Sequence, residues 1–192
     1  MTDATSLASD VAEPVNGRAV RVWDPLVRAS HWLIAASVLL NGLLLDEEGA
    51  AHIWIGYGVI GVLSVRLLWG LIGPAPARFA SFPPSVSEAR AHVGAIVAGV
   101  SVPHVSHNPL GALMVYALWF SLAAICVTGL MMESLTFFGV QWVEDIHEFA
   151  ANAVLLMAAG HLAGVALETR LSGVNLVRAM VTGVKVFPNR RR

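Results

Sequence analysis

Apolar residues in this chain gather into four long runs, Leu26–Leu45, His52–Ile72, Leu110–Met132 and Val143–Leu167. Each reaches the roughly 20 residues that a helix needs to cross the hydrocarbon of a bilayer. Such segments are predicted to be helices, because in lipid only a helix or a closed barrel satisfies its own backbone. The connection from Gly73 to Asn108 is long and opens with GPAPARFASFPPS, whose prolines predict an irregular path. Val86, Ala89, Val93, Ile96, Val97 and Val100 then recur at helical spacing, with Ser85 or Ser87 as N-cap. This predicts a helix along the membrane face, and Leu176–Val184 reads the same way. Asn108 and Pro109 predict the start of the third membrane helix, with Asn as cap and Pro in the first turn.

Composition strengthens the pattern. The 192 residues are 56% hydrophobic and 13% charged, and mean hydropathy is +0.68. Too little polar residue remains to cover so much apolar surface, which excludes a soluble domain. The expected fold is an all-α membrane protein, a four-transmembrane-helix bundle without internal repeat or second domain. Residues 1–20 are polar and lack the apolar stretch of a secretory signal, so they are expected to form a mobile N-terminal tail. Residues 21–187 form the bundle domain, and 188–192 are a basic C-terminal tail. The single cysteine, Cys126, lies inside the third run, where it reads as a small packed apolar residue. No CxxCH occurs, which excludes covalent c-type haem attachment.

The net charge of −1 conceals a polarity. Arg18, Arg21 and Arg28 are expected to precede the first helix, and Arg66 lies near the end of the second. Arg78 and Arg90 sit in the long connection, while Arg170, Arg178, Lys185 and Arg190 to Arg192 follow the fourth run. The other two connections hold Asp46, Glu47, Glu48, Glu133, Glu144 and Asp145, with Glu148 nearby and no Lys or Arg. By the positive-inside rule both termini are expected to be cytoplasmic.

Four histidines fall inside the spans, where ionisable residues are functional candidates by default. His147 and His161 are fourteen residues apart, close to four full turns, so they share a face about 21 Å apart along the axis. His31 stands early in the first span, at the depth of His161; His52 opens the second, at the depth of His147. Two pairs follow, His31 with His161 on the inner side and His52 with His147 on the outer side. Zinc usually takes four protein ligands, and each level offers two. Iron in a porphyrin needs only two axial ligands, and bis-histidine ligation leaves no open position, which suits electron transfer. Gly56, Gly58, Gly61, Gly160 and Gly164 suit either backbone approach to a flat ring or ordinary helix contact. Arg66, fourteen residues after His52, suits either a haem propionate or a snorkelling path to the interface. His92, His104 and His107 in the long connection suit solvated positions or proton exchange with a quinone.

The stretches RVWDPLVRASHW, AHIWIGYGVIGVLSVRLLWGLIGP, HNPLGALMV and HEFAANAVLLMAAGHLAGV resemble the bacterial cytochrome b561 family. That family also includes the b-type subunits of membrane nickel–iron hydrogenases. The resemblance runs from about Arg21 to Lys185 and implies a four-helix bundle with two haem b groups that exchanges electrons with quinone. His31, His52, His147 and His161 match the family's ligand positions, in agreement with the pairing by depth. FPPSVSEAR and the HNP motif resemble the branch found beside c-type cytochromes.

The expected activity is transmembrane electron transfer between the quinone pool, ubiquinone or menaquinone, and a periplasmic redox partner such as a c-type cytochrome. The expected setting is the bacterial cytoplasmic (inner) membrane, with lipid all round, no nucleic acid, and a homodimer left open. The acidic outer connections suit either plain solvation or a basic docking partner. Trp23, Trp54, Tyr57 and Trp142 read as membrane-belt anchors rather than quinone contacts. Three alternatives remain: a superoxide:quinone oxidoreductase, which the acidic outer loops disfavour, a hydrogenase anchor subunit, and a histidine-lined proton or metal conduit.

Overall fold

The computed structural model describes residues 17–47, 49–100 and 104–188. The element order is β1 (Arg18–Arg21), α1 (Pro25–Leu43), α2 (Ala50–Ile72), α3 (Val86–Val97), α4 (Pro109–Met132), α5 (Gln141–Ser172), α6 (Leu176–Thr182) and β2 (Val184–Phe187). Four of these, α1, α2, α4 and α5, are long and apolar enough to cross a membrane. Many large apolar side chains on them face outward, among them Leu39, Leu43, Leu68, Phe120, Phe149 and Leu156. A surface of that kind is stable against lipid, where water would penalise it.

Each expected start and stop has a local cause. Asp24 caps α1, accepting from the amides of Leu26 at 2.9 Å and Val27 at 3.0 Å, and Pro25 supplies the preset first-turn φ. Asn108 caps α4 by accepting from the Gly111 amide at 2.6 Å. Ser85 caps α3, as one of the two expected positions. The proline-rich opening of the long connection holds two single-turn 3₁₀ segments, Ala75–Ala77 and Phe79–Ser81.

Helices α4 and α5 pair most extensively, α1 packs on α2, and α3 lies against α4. Mid-bundle, Val59 and Leu63 of α2, Leu122 of α4 and Val154 of α5 form a buried apolar cluster, joined by Ile34 and Val38 of α1. Val154 stands halfway between His147 and His161, so this cluster separates the two depths.

Three features differ from the sequence reading. Residues 18–20, expected in a mobile tail, join Arg21 in a strand that pairs antiparallel with Val184–Phe187, so the described residues are helical with a two-stranded clasp. Residues 1–16 and the basic tail from 189 lie outside the described residues. Arg28 does not precede α1 but sits in its first turn, donating to the Val181 carbonyl. Helix α5 continues past Leu167 to Ser172, for 32 residues or about 48 Å. That exceeds a hydrocarbon core of about 30 Å, so the last turns project beyond it.

The projecting end anchors a platform. Val22, Trp23, Val27, Ala77 and Ala179 form a second buried cluster there. The amides of Val22 and Trp23 donate to the Gly183 carbonyl at 2.8 and 3.1 Å. Gly183 ends α6 at φ +85°, and a Cβ there would lie 2.5 Å from the Trp23 carbonyl oxygen, so glycine is required twice over. Asp24 ties the platform to the bundle by accepting from Trp69 Nε1 of α2 at 3.1 Å. Asp24→Ala loses the cap and this tie together, at a cost of about 2 kcal/mol. Thermal unfolding of the detergent-solubilised protein, followed by tryptophan fluorescence, should show a lower midpoint, with Asp24→Asn losing less.

Candidate haem sites

The structure brings the four intramembrane histidines together in the two expected pairs. The rings of His31 and His161 have centroids 6.3 Å apart, and those of His52 and His147 likewise stand 6.3 Å apart. The interplanar angles are 53° and 55°. An imidazole nitrogen binds a transition metal at about 2 Å, with the ring centroid about 1 Å behind the nitrogen, so one ion shared by two facing imidazoles needs about 6 Å between centroids. Both pairs meet that requirement. Among the described residues no group of three or more His, Cys, Asp or Glu converges as a metal site. Each pair therefore offers two donors, the number an iron already held by four ring nitrogens requires.

The helices place these side chains by simple geometry. His31 is two turns into α1, and His161 looks across at it from the far half of α5. His52 is in the first turn of α2 and faces His147 from the near half of α5. The Nδ1 atoms of His31 and His52 are buried without a hydrogen-bond partner. His147 Nδ1, in contrast, lies 2.9 Å from the hydroxyl of Thr128 on α4. Asn41 Nδ2 of α1 donates to the His52 carbonyl at 3.1 Å and holds the start of α2 against α1.

The glycines divide by direction. A Cβ added at Gly56, Gly58, Gly61 or Gly164 meets no atom within 4 Å, so none of these makes a close helix contact. At 100° per residue, Gly56 lies about 40° from the His52 direction and Gly164 about 60° from that of His161, leaving room beside both pairs for a flat ring. Gly61 lies about 180° from His52 and faces away from the pair. A Cβ at Gly160 would be 3.7 Å from Met114 Cε, an ordinary packing distance.

Arg66 is buried, at 5% exposure, rather than snorkelling into water. Its guanidinium lies 5.0 Å from the centre of the Trp119 ring. Nη2 donates to the Ala77 carbonyl at 3.3 Å, while Nη1 is buried without a partner. A buried guanidinium with a free N–H calls for an anion, and a propionate is of the right charge and shape.

The histidines of the long connection are packed, not solvated. The His107 ring sits against Phe82 at 4.5 Å and Trp23 at 4.9 Å. Burial pushes its pKa down to about 3, with Lys185, Arg66, His161 and His31 adding repulsion, so it is neutral at physiological pH. His92 Nε2 faces Glu168 Oε2 at 3.7 Å, and the His104 ring stands 5.5 Å from that of His92. Lys185 Nζ donates to the carbonyls of His104 at 2.9 Å and Ser106 at 2.7 Å. Burial lowers this lysine to about 8, against the opposing attraction of Glu168.

Two contributors escaped the sequence reading, Glu168 and Thr128. Glu168 was detectable as one of the few acidic residues, with Asp24 and Glu88, on a mostly basic side. Thr128 was detectable as one of the few polar residues deep in the third apolar run, with Ser121, although nothing in the sequence linked it to His147.

A family model described as prokaryotic cytochrome b561 matches residues 22–183. No curated protein and no solved structure matches the chain. Members of the matched family bind haem b and serve transmembrane electron transfer. With most of its length matched and four membrane-length helices in place, the chain belongs to the prokaryotic cytochrome b561 family.

Proposed function

We propose that this protein carries electrons across the bacterial cytoplasmic membrane through two bis-histidine haem b groups, between the quinone pool and a periplasmic redox partner. The observation that carries the reading is the presence of two histidine pairs, each with 6.3 Å between centroids, at opposite ends of one bundle. His31 and His161 would hold the inner iron, and His52 and His147 the outer. Haem b supplies a one-electron carrier whose potential the protein tunes. The chain's own contribution is to fix four imidazoles, to keep water from the middle with Val59, Leu63, Leu122 and Val154, and to hold Arg66 against an anion. That apolar middle also disfavours a histidine-lined ion conduit, which needs a continuous polar path.

Charge asymmetry supports the orientation. The clasp, α3, α6 and the end of α5 carry most of the basic residues, which favours a cytoplasmic position for that end and for both termini. Quinone, ubiquinone or menaquinone, would exchange electrons at the inner end, where His92, Glu168 and His104 offer proton-exchanging groups. The acidic outer connections favour a basic periplasmic partner such as a c-type cytochrome. The mostly helical bundle with its clasp, from Arg18 to Phe187, would be the electron-carrying domain.

Purified protein should show low-spin haem spectra on dithionite reduction, with two haem b per chain by pyridine haemochrome. His31→Ala or His161→Ala should each remove the inner group, and His52→Ala or His147→Ala the outer. Any of the four single changes leaving two low-spin haems would overturn its pair. Arg66→Leu removes a buried positive charge and should lower the midpoint potential of one haem. Two unmoved midpoints would assign Arg66 to packing alone. A C-terminal fluorescent-protein fusion, which matures only in the cytoplasm, should be bright if the orientation is right.

A further inference from the structure

The outer pair is not symmetric. His52 Nδ1 is buried without a hydrogen-bond partner, whereas His147 Nδ1 lies 2.9 Å from Thr128 Oγ1. Thr128 is itself buried, at 5% exposure, on the face of α4 that meets α5. Its hydroxyl carries one proton and has three neighbours that could take it. Two are carbonyls of its own helix, Ala124 at 2.8 Å and Ile125 at 3.2 Å; the third is the imidazole.

Carbonyls only accept, so the hydroxyl proton has a place at Ala124 whatever the imidazole does. The oxygen then keeps a lone pair for His147, and Nδ1 must be the nitrogen that carries hydrogen. In a neutral imidazole the other nitrogen, Nε2, is then the unprotonated one, able to bind a metal. The opposite arrangement, with Thr128 donating to Nδ1, would put the hydrogen on Nε2 and block ligation. Next to Thr128, a Cβ at Gly129 would stand 3.4 Å from His147 Cε1, so the ring lies close against the α4 backbone. The Ile125 carbonyl also lies within hydrogen-bonding range of the His147 ring and can only accept. Hydroxyl and carbonyl together therefore set the tautomer, while the small residue beside Thr128 gives the ring room.

We infer that Thr128 is a positioning residue of the outer site: it holds His147 as the Nδ1–H tautomer and makes it the more electron-donating of the two outer ligands. The inference rests on the reading that His52 and His147 share a haem iron. A hydrogen bond from a ligating imidazole to an acceptor raises its basicity, which favours the oxidised metal. The outer haem should therefore sit at a lower potential than it would without the hydroxyl.

The test is a redox titration of the full-length holoprotein in detergent, with electron paramagnetic resonance of the oxidised form. Thr128→Val keeps the shape and removes the hydroxyl, while Thr128→Ser keeps the hydroxyl and removes a methyl. In Thr128→Val, one of the two haem components should move to higher potential and the other stay. The expected shift is about tenfold in the reduced-to-oxidised ratio at fixed potential, or about 59 mV for one electron. One low-spin resonance signal should change with it, and Thr128→Ser should restore both. Unchanged midpoints in Thr128→Val, or a Thr128→Ser that behaves like Thr128→Val, would overturn the inference while leaving the haem reading intact. If Thr128→Val instead loses one haem, retention of that haem by Thr128→Ser supports the hydroxyl's role, and its loss there too overturns it. Fewer than two haems in the unaltered protein, or two low-spin haems in His147→Ala, would remove the reading beneath the inference and the inference with it.

Discussion

Hydrocarbon offers a side-chain imidazole no water, so every histidine inside the bilayer must find its partners within the protein. Much of this bundle follows from that requirement. One helix, α5, carries His147 and His161 on a shared face, four turns apart, and so presents one ring near each side of the membrane. The other two ring-bearing helices are set by depth. α1 brings His31 level with His161, and α2 brings His52 level with His147. α4 carries no histidine, yet it closes the long side of α5 and supplies, from Thr128, a hydroxyl that reaches the His147 ring. The apolar cluster around Val154 fills the space between the two levels, where no polar group would find a partner.

The two ends of the bundle meet different solvents, and their construction differs accordingly. At the acidic end, short connections leave the site close to the membrane surface. At the basic end, α5 outruns the hydrocarbon, and the clasp, α6 and the long connection build a protein platform over it. Buried charge concentrates in that platform. Lys185 is neutralised only in part by Glu168 and leans on two carbonyls and the Trp23 ring instead. Arg66 has a carbonyl, an aromatic face and the charge of Asp24 near it, but among the described residues it makes no ion pair. Excess positive charge buried beside the inner pair is costly by itself, and that cost is offset when an anionic group is bound there.

What the sequence made legible was whatever depends on spacing along one helix or on bulk apolarity. The four spans, the Asn108 and Ser85 caps and the pairing of His31 with His161 and His52 with His147 all have that origin. The pairs were readable because depth in a membrane is a one-dimensional coordinate that residue counting recovers. The clasp between Arg18–Arg21 and Val184–Phe187 was not, since four-residue strands more than 160 positions apart leave no periodic trace. Polar residues in the long connection read as solvated for a similar reason. Only the fold shows that His92 and His107 turn under the platform instead of outward.

The family assignment and the platform together bear on which end takes up protons. A carrier that passes single electrons to another metal centre needs no proton donor beside it, whereas quinone reduction consumes two protons for two electrons. His92, His104 and Glu168 are grouped at the basic end. At the acidic end Thr128 and Asn41, which hydrogen-bond the outer pair, do not exchange protons at ordinary pH, and the titratable groups there are carboxylates such as Glu47, whose charge reaches His147. His107, held neutral by its aromatic neighbours and by the cations around it, can accept or donate a hydrogen bond without bringing another positive charge toward Arg66 and Lys185. The proposed arrangement, a quinone at the basic end and a metal-centred partner at the acidic end, would give the group of His92, His104 and Glu168 a chemical use.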